Sequence, residues 1–169
     1  SNSTDGTSEI AEELGAKVIH IPFKGYGDLR NKAIEYCTGD WIFSLDSDER
    51  CTVDVKSEIL SVIENSNFDI YKIPRKNFFM GKWIKHSGWY PNFRQPQLFR
   101  NGKMGYSLEE VHEGFINYSS KEIGILKNHI WQFPFKNTEE VIYKANRYST
   151  LGVKKLQDKK VTGTVFKAF

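Results

Sequence analysis

Cysteine is scarce in this chain. Cys37 and Cys51 stand alone among 169 residues, far from a C-x-x-C spacing, so no disulfide framework suggests itself and a reducing compartment suits the sequence. Long apolar runs are lacking too. No stretch is long enough to span a bilayer, and the first residues do not read as a signal peptide. A large charge of one sign is also missing. The net charge is only +3, which argues against nucleic acid as a partner. Internal repeats and low-complexity tracts are absent. These absences leave a single domain of ordinary globular make-up, large enough to bury a core, with a cytoplasmic location expected. Two features stand out against that background. Aromatic residues reach 14%, and the charge is unevenly placed. Residues 1–135 carry 16 Lys/Arg against 18 Asp/Glu, whereas residues 136–169 carry 8 against 3.

The first third alternates helix and strand signals. "STDGTSEIAEELGAKVIHI" predicts a polar turn, a helix capped by Thr7 or Ser8 and ended by Gly15, and then a strand over "AKVIHI". "GYGDLRNKAIEYCTGD" predicts a Gly-rich loop, a helix from about Asp28 to Cys37 and a turn at Gly39. "WIFSLD" follows as a continuous apolar strand, and "VDVKSEILSVIEN" as a further helix. Helices alternating with strands imply a parallel sheet covered by helices. After residue 68 the pattern becomes apolar–polar alternation broken by Gly, Pro and Asn, as in antiparallel strands. A last helix is expected over "NTEEVIYKANRYSTLGVKKLQDKK", with Val141, Ala145 and Tyr148 on one face. No strand precedes the first helix, and "KVTGTVFKAF" ends in an unfinished apolar pattern. The chain is therefore expected to be one domain over 1–169, cut short at its N-terminus and at its C-terminus.

The chemistry points to "WIFSLDSDER", where a core strand runs into Asp46, Asp48 and Glu49. Acids in that position are costly unless a cation, an ordered loop or solvent compensates them. A D-x-D pair at a strand's end can hold a hard divalent cation, and the cation can bridge the oxygens of a diphosphate. Taken alone the motif is weak, since surface acids match it often. Ligands of parallel sheets gather beyond the carboxyl ends of strands, where these acids lie.

"STDGT", "LRNKAIEYCTGDWIFSLDSDE", "GKWIKHSGWYP", "QLFR" and "VHE" occur in one order across nearly the whole chain. Together they resemble family 2 glycosyltransferases of the GT-A fold, most of all bacterial lipopolysaccharide core β-glucosyltransferases. The resemblance implies a Rossmann-like, mostly parallel sheet flanked by helices, with an antiparallel C-terminal part. It also implies Mg²⁺ or Mn²⁺ held by Asp46 and Asp48 against the diphosphate of a nucleotide-sugar donor. Ser3, Thr4 and Asp5 of the first turn would lie beside the nucleotide, with Arg30 and Asn31 near base and ribose and Asp46 shared between donor and metal. GT-A enzymes commonly add a late histidine to the metal, a part His129 would take unless it is a hydrogen-bonded structural histidine. Where relatives often have Arg-Leu-Phe-Arg, this chain has Gln97-Leu98-Phe99-Arg100. Members also carry an aspartate ahead of the first turn, beyond the start of this chain.

Inverting transfer needs a carboxylate to take the acceptor's proton. Glu113 of "EEVHE" fits that part, with Glu109 and Glu110 as rivals and His112 as an orienting neighbour. Trp89, Tyr90 and Arg94 are candidates for the acceptor groove, because sugars offer apolar C–H faces to aromatic rings and hydroxyls to polar groups. Trp83 reads equally as groove or as core. The basic tail from Lys144 to Lys167 resembles an interfacial helix that meets anionic lipid, although a solvated helix face explains it too. The expectation is an inverting, metal-dependent hexosyltransferase. It moves glucose from UDP-glucose to a lipopolysaccharide-core or other lipid-linked acceptor, at the inner face of the cytoplasmic membrane. Two rivals stay open. A sugar nucleotidyltransferase would want a better triphosphate loop than "GYGDLR", and a non-catalytic carbohydrate-binding domain would not need Asp46, Asp48 and Glu113 together.

Overall fold

The computed structural model describes residues 3–91, 93, 95–108 and 114–158. Four helices and ten short strands follow in the order α1 (Thr7–Glu13), α2 (Tyr26–Glu35), β1 (Trp41–Phe43), β2 (Glu49–Arg50), α3 (Val53–Glu64), β3 (Ile70–Lys72), β4 (Arg75–Phe79), β5 (Lys82–Ile84), β6 (Pro96–Arg100), β7 (Met104–Tyr106), β8 (Phe115–Asn117), β9 (Gly124–Ile125), β10 (Ile130–Gln132) and α4 (Thr138–Asp158). The strands form one sheet in the order β1-β6-β3-β9, a second in the order β2-β10-β4-β5, and a β7-β8 ribbon.

The mixed α/β character is as expected, but the mostly parallel sheet is not what these ladders show. Only β3–β9 and β10–β4 pair in parallel, while the other five ladders are antiparallel. The reason lies in β6. It enters from the late part of the chain and lies antiparallel between β1 and β3, which themselves point the same way across the α3 connection. The parallel relation inferred from helix–strand alternation is therefore present in direction, without direct pairing. The strand expected over "AKVIHI" is not formed. Residues 16–23 make no ladder with any described residue, and a β-strand exists only through a neighbour that accepts and donates its backbone bonds.

The continuous apolar run of β1 is explained by burial on both faces. One face carries the core of Val55, Ile59, Tyr71, Ile73, Leu98, Leu126 and Ile130, with Trp41 and Phe43 against it. The other carries Ile42, Ile70, Phe99, Met104 and Tyr106, with Ile34 of α2 against them. Neighbouring residues of one strand, such as Leu98 and Phe99, thus serve opposite cores. Helix α3 covers the first face. Its N-cap is Thr52, whose Oγ1 accepts from Val55 N at 3.3 Å and donates to His129 O at 3.1 Å.

Helix α2 covers the second face, and it begins two residues earlier than the sequence pattern suggests. Gly25, at φ 135, lies just ahead of it, and the "Gly-rich loop" largely becomes its first turn. Gly27 is buried there because α2 lies against the backbone after β7; a Cβ on it would stand 2.0 Å from Ser107 O. Helix α1 is preceded by Gly6 at its N-cap position, in the left-handed region, and neither Thr7 nor Ser8 caps it. Instead Asp5 closes the turn by accepting from Thr7 N and Thr7 Oγ1. Gly15 ends the helix as expected, its N–H donating to Glu12 O at 2.9 Å. The face shared by Ile10 and Leu14 is exposed.

Candidate functional site

Strand β1 delivers the chain to Asp46 while Ser44 N still donates to Gln97 O at 2.7 Å. Beyond it the acidic loop is tied at every residue. Asp46 N donates to Glu49 Oε2 at 3.0 Å and Glu49 N donates back to Asp46 O at 3.0 Å. Arg50 Nη1 donates to Ser47 O. Asp48 O accepts from Phe133 N at 2.8 Å and Asp48 Oδ2 from Gln132 Nε2 at 3.2 Å. The loop is thus held on β10, with Asp46 exposed, Asp48 half-buried and Glu49 buried.

Arg30, reaching from α2, donates through Nη2 to both Asp46 oxygens, at 2.8 and 3.1 Å. Its Nη1 donates to Gln95 Oε1 at 3.3 Å, and its guanidinium lies 5.2 Å from the Tyr106 ring centre. The Asp46 side chain is 45% exposed, so the ion pair is partly screened and opening it for a ligand costs little. The structure therefore brings Arg30 and Asp46 together, with Asp48 two residues further along the loop and bonded to Gln132.

The Asn31 side chain is engaged within the fold. Its amide spans the Tyr106 backbone, donating to the carbonyl at 2.9 Å and accepting from the N–H at 2.8 Å. It straps α2 to β7. Ser3, Thr4 and Asp5 lie exposed in the opening turn. The Asp5 carboxyl is held below the usual range, first by the Thr7 hydroxyl and then by the Thr7 N–H.

His129 is not brought to the acids. It precedes β10, opposite Thr52, while Asp48 meets Phe133 four residues further on, about 13 Å along a strand. Its Nε2 shares a hydrogen bond with the Tyr90 hydroxyl at 2.7 Å, and the two rings stack. Burial, and then the charge of Lys76, push its pKa down. Its hydrogen bond to Tyr90 is of the kind a structural histidine makes. Among the described residues, no three acids, histidines or cysteines gather as a metal site.

The aromatic segment forms a wall beside His129. Tyr90 meets Trp83 edge-on at 5.2 Å, and Lys76 and Lys85 lie over the Trp83 ring at 4.6 and 4.7 Å. Trp83 is half-buried and its Nε1 is buried without a partner among the described residues. Trp89 O accepts from Asn77 Nδ2 at 2.9 Å, and its ring contacts Phe135 at 6.3 Å. Arg94, Glu109, Glu110, His112 and Glu113 lie outside the described residues, as does the basic tail beyond α4, residues 159–169. No described helix is long and apolar enough to cross a membrane.

Three residues of this site, Arg75, Gln97 and Gln132, were not singled out as part of it, whereas Glu49 was read only as one of the loop's three acids. Glu49, Arg75, Gln97 and Gln132 are all buried. Glu49 accepts from Arg75 Nε at 2.6 Å and from Gln97 Nε2 at 2.7 Å. A signal was available in β4. Ile73, Arg75 and Asn77 share one phase of the alternation, so an inward-facing polar strand was readable there.

Comparison with known proteins identifies the family. The model of the family "Glycosyl transferase family 2" matches residues 1–119. The chain is 29% identical over 182 residues to a protein of Rickettsia felis described as an uncharacterized glycosyltransferase, covering 96% of this chain and 61% of that protein. It is 28% identical over 165 residues to the lipopolysaccharide core biosynthesis glycosyltransferase LpsC of Rhizobium meliloti, covering 89% of this chain and 58% of LpsC. A TPR repeat-containing protein of Synechococcus elongatus matches over 100 residues at 33% identity, covering 59% of this chain and 23% of that protein. The chain thus spans about three fifths of the length of the first two relatives.

Proposed function

Since this chain belongs to glycosyl transferase family 2, we propose that it forms the donor-binding part of an inverting hexosyltransferase that takes glucose from UDP-glucose. The acceptor is a lipopolysaccharide-core or similar lipid-linked glycan, a reading supported by the likeness to LpsC. The observation that carries the proposal is the acidic loop after β1, where Arg30 from α2 converges with Asp46 and where Asp48 is held on β10.

Mg²⁺ or Mn²⁺ fits the residues present. Asp46 and Asp48 offer hard oxygen ligands, and a small divalent cation is commonly held by one or two carboxylates plus water and substrate phosphate. When bound, the cation supplies charge that neutralises the leaving diphosphate. Arg30, held by Asp46 and Gln95, would turn part of its guanidinium to the same phosphates or the ribose. Trp89, Tyr90 and Arg94 receive the acceptor sugar, and Glu113 removes the proton of the attacking hydroxyl. The basic C-terminal helix brings the protein to the anionic surface where a lipid-linked acceptor resides.

Calorimetry of the full-length protein with UDP-glucose, with and without Mn²⁺, tests the reading. Asp48→Asn removes a ligand charge at a half-buried position, so the fold should hold. Metal-dependent UDP binding should weaken at least about tenfold, or about 1.4 kcal/mol. Equal affinity in variant and parent would remove the metal from Asp48.

A further inference from the structure

We propose that Glu49, Arg75 and Gln97 form a buried positioning unit that sets the place of the acidic loop, an inference that rests on reading the loop as the donor site. The Glu49 side chain is wholly buried and that of Arg75 is 5% exposed. Each carboxylate oxygen of Glu49 has an assigned partner. Oε1 takes Arg75 Nε from β4, and Oε2 takes both Gln97 Nε2 from β6 and the N–H of Asp46. Strand β4 belongs to the second sheet and β6 to the first. One buried carboxylate therefore joins the two sheets and hangs the first residue of the acidic loop from the joint.

Stability alone does not explain this arrangement. A buried ion pair gains little over apolar residues of the same volume, because desolvating the charges offsets their attraction. Here the trio also leaves Arg75 Nη1 and Gln97 Oε1 buried without partners among the described residues, a further cost. What the trio supplies, and a packed apolar cluster cannot, is a fixed acceptor for the Asp46 N–H. That bond decides where the Asp46 carboxylate stands relative to Arg30 and Asp48.

The test separates holding the fold from holding the loop. The triple variant Glu49→Leu/Arg75→Met/Gln97→Met keeps volume and removes every polar group of the unit. It should melt cooperatively near the parent's temperature, yet the amide of residue 46 should exchange with solvent at least about tenfold faster. Mn²⁺ affinity, read by electron paramagnetic resonance, should fall by at least about tenfold as the carboxylates lose their geometry. A folded triple variant whose residue 46 amide exchanges at the parental rate overturns the proposal. If the triple variant does not fold, Gln97→Met alone decides. It leaves the ion pair intact and should speed exchange at residue 46 by about threefold, and an unchanged rate overturns the positioning role. If the parent itself binds no Mn²⁺, the metal-site reading falls, while the exchange measurement still decides whether the trio holds the loop.

Discussion

In the β1-β6-β3-β9 sheet the buried side chains are Ile42, Ile70, Tyr71, Pro96, Leu98 and Phe99, joined by Gln97. In the β2-β10-β4-β5 sheet they are Glu49, Arg75, Asn77 and Gln132, with Ile130 as the apolar member. Both sets are shielded from water, yet they are held by different forces. Apolar contact in the first sheet is non-directional, so its residues serve by shape and volume. The hydrogen bonds of the second sheet are directional and place particular groups: Asp46 through Glu49, Asp48 through Gln132, and Trp89 through Asn77. The first sheet supplies most of the cohesion, and the second aims the candidate site.

The largest effect should come from the first sheet. Phe99 is fully buried at its centre, so Phe99→Ala should cost about 4 kcal/mol of unfolding free energy through lost burial and the cavity left behind. Urea denaturation measures it, and a loss under about 2 kcal/mol would show a core able to collapse around the gap. The matching change in the second sheet is Asn77→Ala. It strips the Trp89 carbonyl of its donor and should cost about 1–2 kcal/mol, with the larger consequence being a loosened Trp89–Tyr90 segment seen in hydrogen exchange. A stability loss as great as that of Phe99→Ala would erase the contrast between the sheets.

The smallest effect is a pH dependence at His129, just ahead of β10 in the second sheet. His129 has a folded pKa below its ordinary 6.5, through burial first and Lys76 second. The unfolded chain therefore takes up the proton more readily than the folded one. The stability tied to neutral His129 is present above 6.5 and is lost as pH falls through 6.5 toward the lower folded value. Melting temperatures between pH 7.5 and 5.5 should fall more for the parent than for His129→Gln. Asp69 does not confuse the comparison. Its pKa is lowered, first by the Ser119 hydroxyl and then by Lys121, from a value of 3.8, so its contribution is lost only at more acid pH.

Much of this was legible along the chain. The helices over 53–64 and 138–158 announced themselves through their patterns, since a helix is made of bonds between residues four apart and its signals lie within its own stretch. The acidic loop was legible as well, because an apolar strand ending in acids is anomalous in one dimension. Arg30 and Asp46 were placed at one site by likeness to a family, and they do meet. Strand pairing was harder to read. "AKVIHI" has the composition of a strand and makes no ladder, while β6 enters between β1 and β3 from residues some 50 and 25 positions away. A strand's identity depends on a partner its own residues do not specify.

Asp46 and Glu49 show the same division within four residues. By sequence they are two acids of one cluster, and their side chains have nearly the same chemistry. Local chain geometry sets where the loop begins, and composition makes it acidic. Only the tertiary structure decides that Asp46 faces Arg30 at the surface while Glu49 turns inward between two sheets. A carboxylate can be buried only where donors from elsewhere in the chain replace its water. Those donors, Arg75 and Gln97, lie 26 and 48 residues away.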